Sequence, residues 1–149
     1  MKVSQNFVLQ ELVNPEVFNE FGELSIWFID TKMIAVIEKV RALVREEDND
    51  AVILINNWHK GGQFRDSGYR DPNAKIGAFR SQHKLGKAFD LKVLGGLTNK
   101  RLYEIILENK AELISLGLTT LEDIAMTATW VHIDCRYTGL ENEFLIVKP

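Results

Sequence analysis

Two histidines and one aspartate set the chemistry open to this sequence. His83 lies in SQHKLGKAFDLKV (81–93), Asp90 follows it by seven residues, and His132 lies in TWVHID (129–134). Seven residues is no helical pairing, but a turn at Gly86 feeding a strand brings an imidazole and a carboxylate together, and another strand can deliver His132 beside them. Two His and one Asp suit a catalytic zinc ion, because three protein ligands leave the fourth tetrahedral position open to water. Such water ionises near neutral pH and becomes a nucleophile. Spacing alone leaves a plainer alternative standing, since scattered His and Asp residues are common and self-sufficient zinc signatures rest on closer pairs.

Strands and a loop are needed to position the three, and the patterning supplies both. AVILIN (51–56) is β-branched and bounded by polar residues, which predicts a buried strand. FDLKV (89–93), WVHIDC (130–135) and EFLIV (143–147) predict three more, and Leu118–Leu121 is a candidate neighbour. Apolar residues at Met33, Val36, Ile37, Val40, Leu43 and Val44 predict a helix from Thr31 to about Glu46, capped by Asp30. A second helix is expected from Asn99 to Leu116 with Thr98 as cap and Gly117 as stop, and a short first helix near Leu9–Val13. Between the first strand and FDLKV, residues 57–87 are non-periodic and glycine-rich, the signature of a functional loop. The expectation is one α+β domain over residues 1–149, with a small antiparallel sheet packed with helices.

Composition narrows the function classes. The 149 residues carry 18 basic and 21 acidic side chains, a net charge of −3, and 46% are hydrophobic. A chain of this size buries roughly 68–70% of its unfolded surface, enough for a core without staples. Cys135 is the only cysteine, so no disulfide scaffold is possible. The acidic balance argues against nucleic-acid binding, which needs a clustered positive field. No run approaches the roughly 18 apolar residues of a membrane span, and the N-terminus lacks the apolar core of a secretory signal. Synthesis in the cytoplasm without a signal peptide, and a monomeric chain, are the expectations.

Ser81-Gln82-His83-Lys84-Leu85-Gly86-Lys87-Ala88-Phe89-Asp90 resembles the Ser-x-His-x-x-Gly-x-Ala-x-Asp signature of the zinc D-Ala-D-Ala carboxypeptidase and L-alanyl-D-glutamate endopeptidase family, which shares the hedgehog fold. Ser67-Gly68-Tyr69-Arg70 is similar to that family's Ser-Gly-Tyr-Arg, and Trp130-Val131-His132 to its final Trp-x-His. The resemblance spans about Phe7 to Tyr137. It implies a hedgehog/DD-peptidase-like fold, one zinc per chain held by His83, Asp90 and His132, and hydrolysis of peptidoglycan stem peptides. It also implies that Arg70 faces the substrate, holding a carboxylate or an oxyanion, and that Ser81 and Gln82 line the cleft. A loop-ordering ion pair of Arg70 with Asp66 or Asp71 is the alternative. A phage or prophage lysin, released to the cell wall by lysis or carried in a virion, suits such a chain.

One departure from the family pattern matters. Peptidoglycan-cleaving members place a carboxylate three residues before the last histidine, where this sequence has Thr129. Threonine is no general base at neutral pH. Asp134 shares a strand face with His132 and is the first candidate, either as base or as a carboxylate that orients a ligand histidine or pairs with Arg136. Glu122 and Asp123 come next, if a neighbouring strand ends there. The competing class is a non-catalytic cell-wall-binding or virion module that keeps the metal and has lost the base. Cys135 alternates away from this face and is expected to be a buried small hydrophobe. Trp58 and Trp130 are read as core or substrate wall, His59 as loop packing, and Trp27 and Phe28 as packing.

Overall fold

The computed structural model describes residues 1–149. Helix α3 (Thr31–Glu47) forms where the apolar stripe predicts it, with all six stripe residues buried and the Asp30 carboxylate accepting the Lys32 N–H at 3.0 Å. Ahead of it stand α1 (Leu9–Leu12), α2 (Pro15–Phe21) and a 3₁₀ segment, Gly22–Phe28. Helix α2 was not expected, although its signals are plain: Asn14 accepts the Val17 N–H and Pro15 occupies the first turn. Phe28 stacks on Tyr69, as packing requires, whereas Trp27 is 77% exposed and corrects the expectation made for it.

The strands are β1 (Val52–Leu54), β2 (Ala88–Leu94), β3 (Thr120–Glu122), β4 (Val131–Asp134) and β5 (Leu145–Val147), in the order β1-β2-β4-β3-β5. Three of the pairings are antiparallel, but β3 and β5 run parallel, so the sheet is mixed rather than antiparallel. The reason is topological. Both sides of β4 are already taken by β2 and β3, so residues 135–144 must carry the chain past β3 to its free edge. Returning there reverses β5 relative to β4 and aligns it with β3.

The second long helix is broken in two, α4 (Asn99–Glu108) and α5 (Lys110–Ser115). Asn109 sits at the break, with its side-chain amide donating to the Ile105 carbonyl at 2.9 Å, the local competition by which Asn interrupts helices. Helix α4 still buries Leu102, Ile105 and Ile106 and packs on β2 and β4. Each such side chain contributes about 1.5–3 kcal/mol by leaving water.

Alternation along the strands divides the sheet by chemistry. Phe89, Leu91, Leu121, Val131 and Ile133 enter the apolar core. Asp90, Lys92, Glu122, His132 and Asp134 occupy the intervening positions and project from the other face. Gly86 makes the turn into β2 with φ +70°, and a Cβ there would lie 1.7 Å from the Phe28 carbonyl oxygen. Only glycine fits both the backbone and the space.

Candidate metal centre

The register of the sheet brings the ligand set together. Asp90 on β2 is the direct cross-strand partner of His132 on β4. His83 arrives from a 3₁₀ turn, Gln82–Leu85, that Gly86 terminates. His83 Nε2 lies 3.3 Å from Asp90 Oδ1 and 3.3 Å from His132 Nδ1, and the last two atoms are 2.8 Å apart. All three residues are nearly buried.

The far nitrogen of each imidazole is held by an acceptor. His83 Nδ1–H donates to the Gly68 carbonyl at 2.9 Å, and His132 Nε2–H donates to Asp134 Oδ2 at 3.2 Å. These bonds fix the tautomers and leave His83 Nε2 and His132 Nδ1 as lone-pair donors beside a carboxylate oxygen. Three acceptors facing one point require a cation between them. Tetrahedral zinc at ~2.0–2.1 Å sets neighbouring ligand atoms about 3.3 Å apart, which both His83 separations match. The 2.8 Å His132–Asp90 pair, at hydrogen-bond distance, would open by about 0.5 Å, so the residue types and arrangement fit a zinc ion.

Without metal, a proton fills that role. Burial lowers the His132 imidazole, but the bonds to Asp134 and Asp90 outweigh it and raise it to about 9. Burial likewise raises the Asp90 carboxyl, and the opposing pull of His83 and His132 holds it well below the usual carboxylate range.

The Ser-Gly-Tyr-Arg segment stitches the site together. The Asp90 N–H donates to the Ser67 carbonyl at 2.8 Å, and the Arg70 N–H donates to the His83 carbonyl at 3.2 Å. Gly68 must be glycine, since a Cβ would lie 2.1 Å from the Leu12 carbonyl oxygen. The Arg70 guanidinium donates to Asp90 Oδ2 at 3.1 Å, and its Nε–H donates to the Asp66 carbonyl. Its ion pair is therefore with a ligand carboxylate rather than with Asp66 or Asp71.

The carboxylates considered as base occupy different places. Asp134 is wholly buried and accepts from His132 Nε2, from the Arg136 backbone N–H at 3.0 Å and from the Arg136 guanidinium at 2.5 and 2.9 Å. It stands behind the ring, on the nitrogen turned away from His83 and Asp90. That is where a carboxylate can orient a ligand imidazole, the second of the two readings. Burial raises its carboxyl, but His132 and Arg136 outweigh it and hold the group below its usual range. Asp123 caps its own turn by accepting the Ala125 N–H at 3.0 Å. Glu122 is the carboxylate on the ligand side. Thr120 pairs with Asp134, so one step of register beyond Leu121 brings Glu122 level with His132, and its Oε1 lies 3.9 Å from Nδ1.

A cleft in two lobes flanks the ligands. One lobe, about 550 Å³, is lined by Ser81, Gln82, His83, Glu122, His132 and Arg136 among others. The second, about 490 Å³, is lined by Phe64, Asp66, Ser67, Lys92, Thr129 and Trp130 among others, and Arg70 and Asp90 border both. The largest cavity, about 740 Å³, touches none of the three ligands. Burial pulls the Lys92 ammonium down to about 8. Lys92 is a site residue that the sequence reading missed, although its place two residues after Asp90 on a strand is the signal that puts it on the same face.

Cys135, Trp58 and His59 line neither lobe. Cys135 is buried, its thiol 3.6 Å from Asp30 Oδ2 and pushed up to about 12 by burial and by that carboxylate. Trp58 Nε1–H donates to the Val13 carbonyl at 3.0 Å, whereas neither ring nitrogen of His59 has a partner. No helix is long and apolar enough to cross a membrane. Comparison with protein-family models, with curated proteins and with solved structures found no match for this chain.

Proposed function

We propose that this chain is a zinc-dependent peptidase of the hedgehog/D-Ala-D-Ala peptidase fold that hydrolyses peptidoglycan stem peptides, at D-Ala-D-Ala or L-Ala-D-Glu type bonds. The observation that carries the proposal is the convergence of His83 Nε2, Asp90 Oδ1 and His132 Nδ1, with the far imidazole nitrogens anchored and an unbonded carboxylate, Glu122, on the open side. The resemblance of Ser81–Asp90 and Trp130–His132 to the family signatures supplies the substrate class.

His83, Asp90 and His132 would hold the ion. Zinc, when bound, supplies Lewis acidity that polarises a carbonyl and eases the ionisation of water. Glu122 takes a proton from the attacking water and delivers it to the amide nitrogen, so the C–N bond breaks to an acid and an amine. Arg70, at the border of the two lobes, stabilises negative charge on the reacting carbonyl oxygen through its N–H donors. Ser81 and Gln82 line the cleft on the Glu122 side and contact the peptide there. Asp134 and the Gly68 carbonyl keep the imidazoles in their ligating tautomers.

A second reading, a metal-containing binding or virion module, is favoured by Thr129 alone. The two are separated by treating muropeptides of several wall chemotypes with zinc-loaded protein and following new termini by mass spectrometry. The peptidase reading requires cleavage that chelator abolishes and zinc restores. No cleavage of any chemotype by a fully metallated sample supports the module.

A further inference from the structure

Lys92 has no part in the chemistry above, yet it is placed at considerable cost. It is only 8% exposed, and its ammonium bonds just two acceptors, the Ser67 hydroxyl at 2.8 Å and the Asp90 carbonyl at 3.3 Å. Both are neutral. The Phe64 ring lies 4.6 Å from Nζ on another side, a favourable but weak neighbour. The charge has no ion-pair partner, because the Asp90 carboxylate is engaged by Arg70, His83 and His132. An ammonium has three N–H donors, and the protein supplies acceptors for two of them. Desolvated charges are retained where a counter-ion arrives to pair with them.

The place of this charge says what arrives. Lys92 lines the lobe that Arg70 and Asp90 border, walled by Phe64, Ile76 and Trp130. Arg65, also at its rim, is occupied by Glu16. Asp66 is the lobe's one acidic residue outside the ligand set. A buried, unpaired ammonium beside an apolar wall suits a carboxylate attached to a small apolar body.

We propose that this lobe is a carboxylate subsite in which Lys92 holds a free carboxylate that the substrate carries beside the scissile bond. The inference rests on the peptidase reading and adds a specificity residue to it. That carboxylate is either the C-terminus of the peptide or an internal one, such as the free carboxyl of a γ-linked D-glutamate.

Binding of uncleavable ligands tests this apart from turnover. The probes are ketomethylene analogues, with CH₂ in place of the scissile N–H, of N-acetyl-D-alanyl-D-alanine and of N-acetyl-L-alanyl-γ-D-glutamyl amide. Each is compared with its partner bearing a carboxamide in place of the free carboxylate, by calorimetry on zinc-loaded protein. The expected result is that at least one acid binds about 10- to 100-fold more tightly than its amide, the usual worth of a hydrogen bond to a charged group. The better acid tells the two sources apart. Lys92→Met, checked for folding by circular dichroism, lowers that acid's affinity about tenfold or more and leaves its amide unchanged, with Lys92→Gln as the second variant. Equal binding of acid and amide by the wild-type protein overturns the proposal without any variant, and the peptidase reading stands if muropeptides are still cleaved. Acid preference undiminished in a folded Lys92 variant also overturns it. If no probe binds and no muropeptide is cut, both fall.

Discussion

The Asp134 carboxylate bonds His132 through the imidazole nitrogen that faces away from Asp90 and His83, at 3.2 Å, and the same carboxylate is clamped by Arg136. Two residues on one strand face are thereby joined back to front, with the histidine toward the cleft and the aspartate behind it.

That order predicts the behaviour of Asp134→Asn. The variant should bind zinc about 10 to 100 fold more weakly, the common effect of losing the carboxylate behind a ligand histidine. Its hydrolytic rate should recover in excess zinc. Zinc affinity by competition with a chromophoric chelator, alongside muropeptide turnover across a zinc series, reads both. A loss of rate at full metal occupancy would return Asp134 to the role of base.

Glu122→Gln should do the opposite. With the shape kept and the proton acceptor removed, zinc content stays at one per chain while turnover falls by about 10² to 10⁴. Asp123→Asn serves as the comparison, since that carboxylate caps its own turn, and its turnover should stay within about twofold of wild type. Thr129→Glu tests the converse, because a gain in rate would mean that the family position works better than Glu122 does.

Metal-free protein should show a pH optimum of stability that zinc displaces. Raising the His132 imidazole to about 9 gives stability that is complete below its ordinary value and is lost as pH rises through about 9. Lowering the Asp90 and Asp134 carboxyls gives stability that is present above their ordinary range and is lost as pH falls. Chelator-treated protein should therefore melt highest between about pH 4 and 6.5, the ordinary values of a carboxyl and an imidazole. Zinc must displace the His132 proton, so uptake below about pH 9 releases a proton and affinity climbs with pH. Calorimetry in buffers of different ionisation heat counts that proton, and none released at pH 7 would contradict this account.

Gly86→Ala should be the more damaging of two glycine substitutions in the left-handed region. Its Cβ would meet the Phe28 carbonyl oxygen at 1.7 Å, whereas at Gly139, φ +73°, the nearest atom is 4.0 Å away. Strain alone costs about 1–3 kcal/mol, and overpacking adds a similar amount at Gly86 only. Thermal melts should place Gly86→Ala about 2–12 °C below Gly139→Ala, at roughly 2–4 °C per kcal/mol for this size. Zinc binding should weaken with it, because Gly86 ends the turn that carries His83.

Much of this was legible in the sequence where periodicity or a motif was long enough to act alone. The stripe from Met33 to Val44 yields α3 within one residue, and the segments bearing His83, Asp90 and His132 do converge. Non-local facts were hidden. Nothing in EFLIV says that β5 must cross to the edge of β3, because that follows from both sides of β4 being filled. The placement of Asp134 behind His132 and of Glu122 in front of it was equally out of reach, since it depends on which imidazole nitrogen faces which neighbour. Asn109, by contrast, was readable, as an Asn able to bond its own helix at Ile105.

The most direct test is a crystal of zinc-loaded protein measured on both sides of the zinc absorption edge. The account predicts one anomalous peak per chain, about 2.0–2.1 Å from His83 Nε2 and from His132 Nδ1 and about 2.0–2.2 Å from an Asp90 carboxylate oxygen. A peak centred elsewhere, or coordination through His132 Nε2 with Asp134 as a ligand, would contradict it.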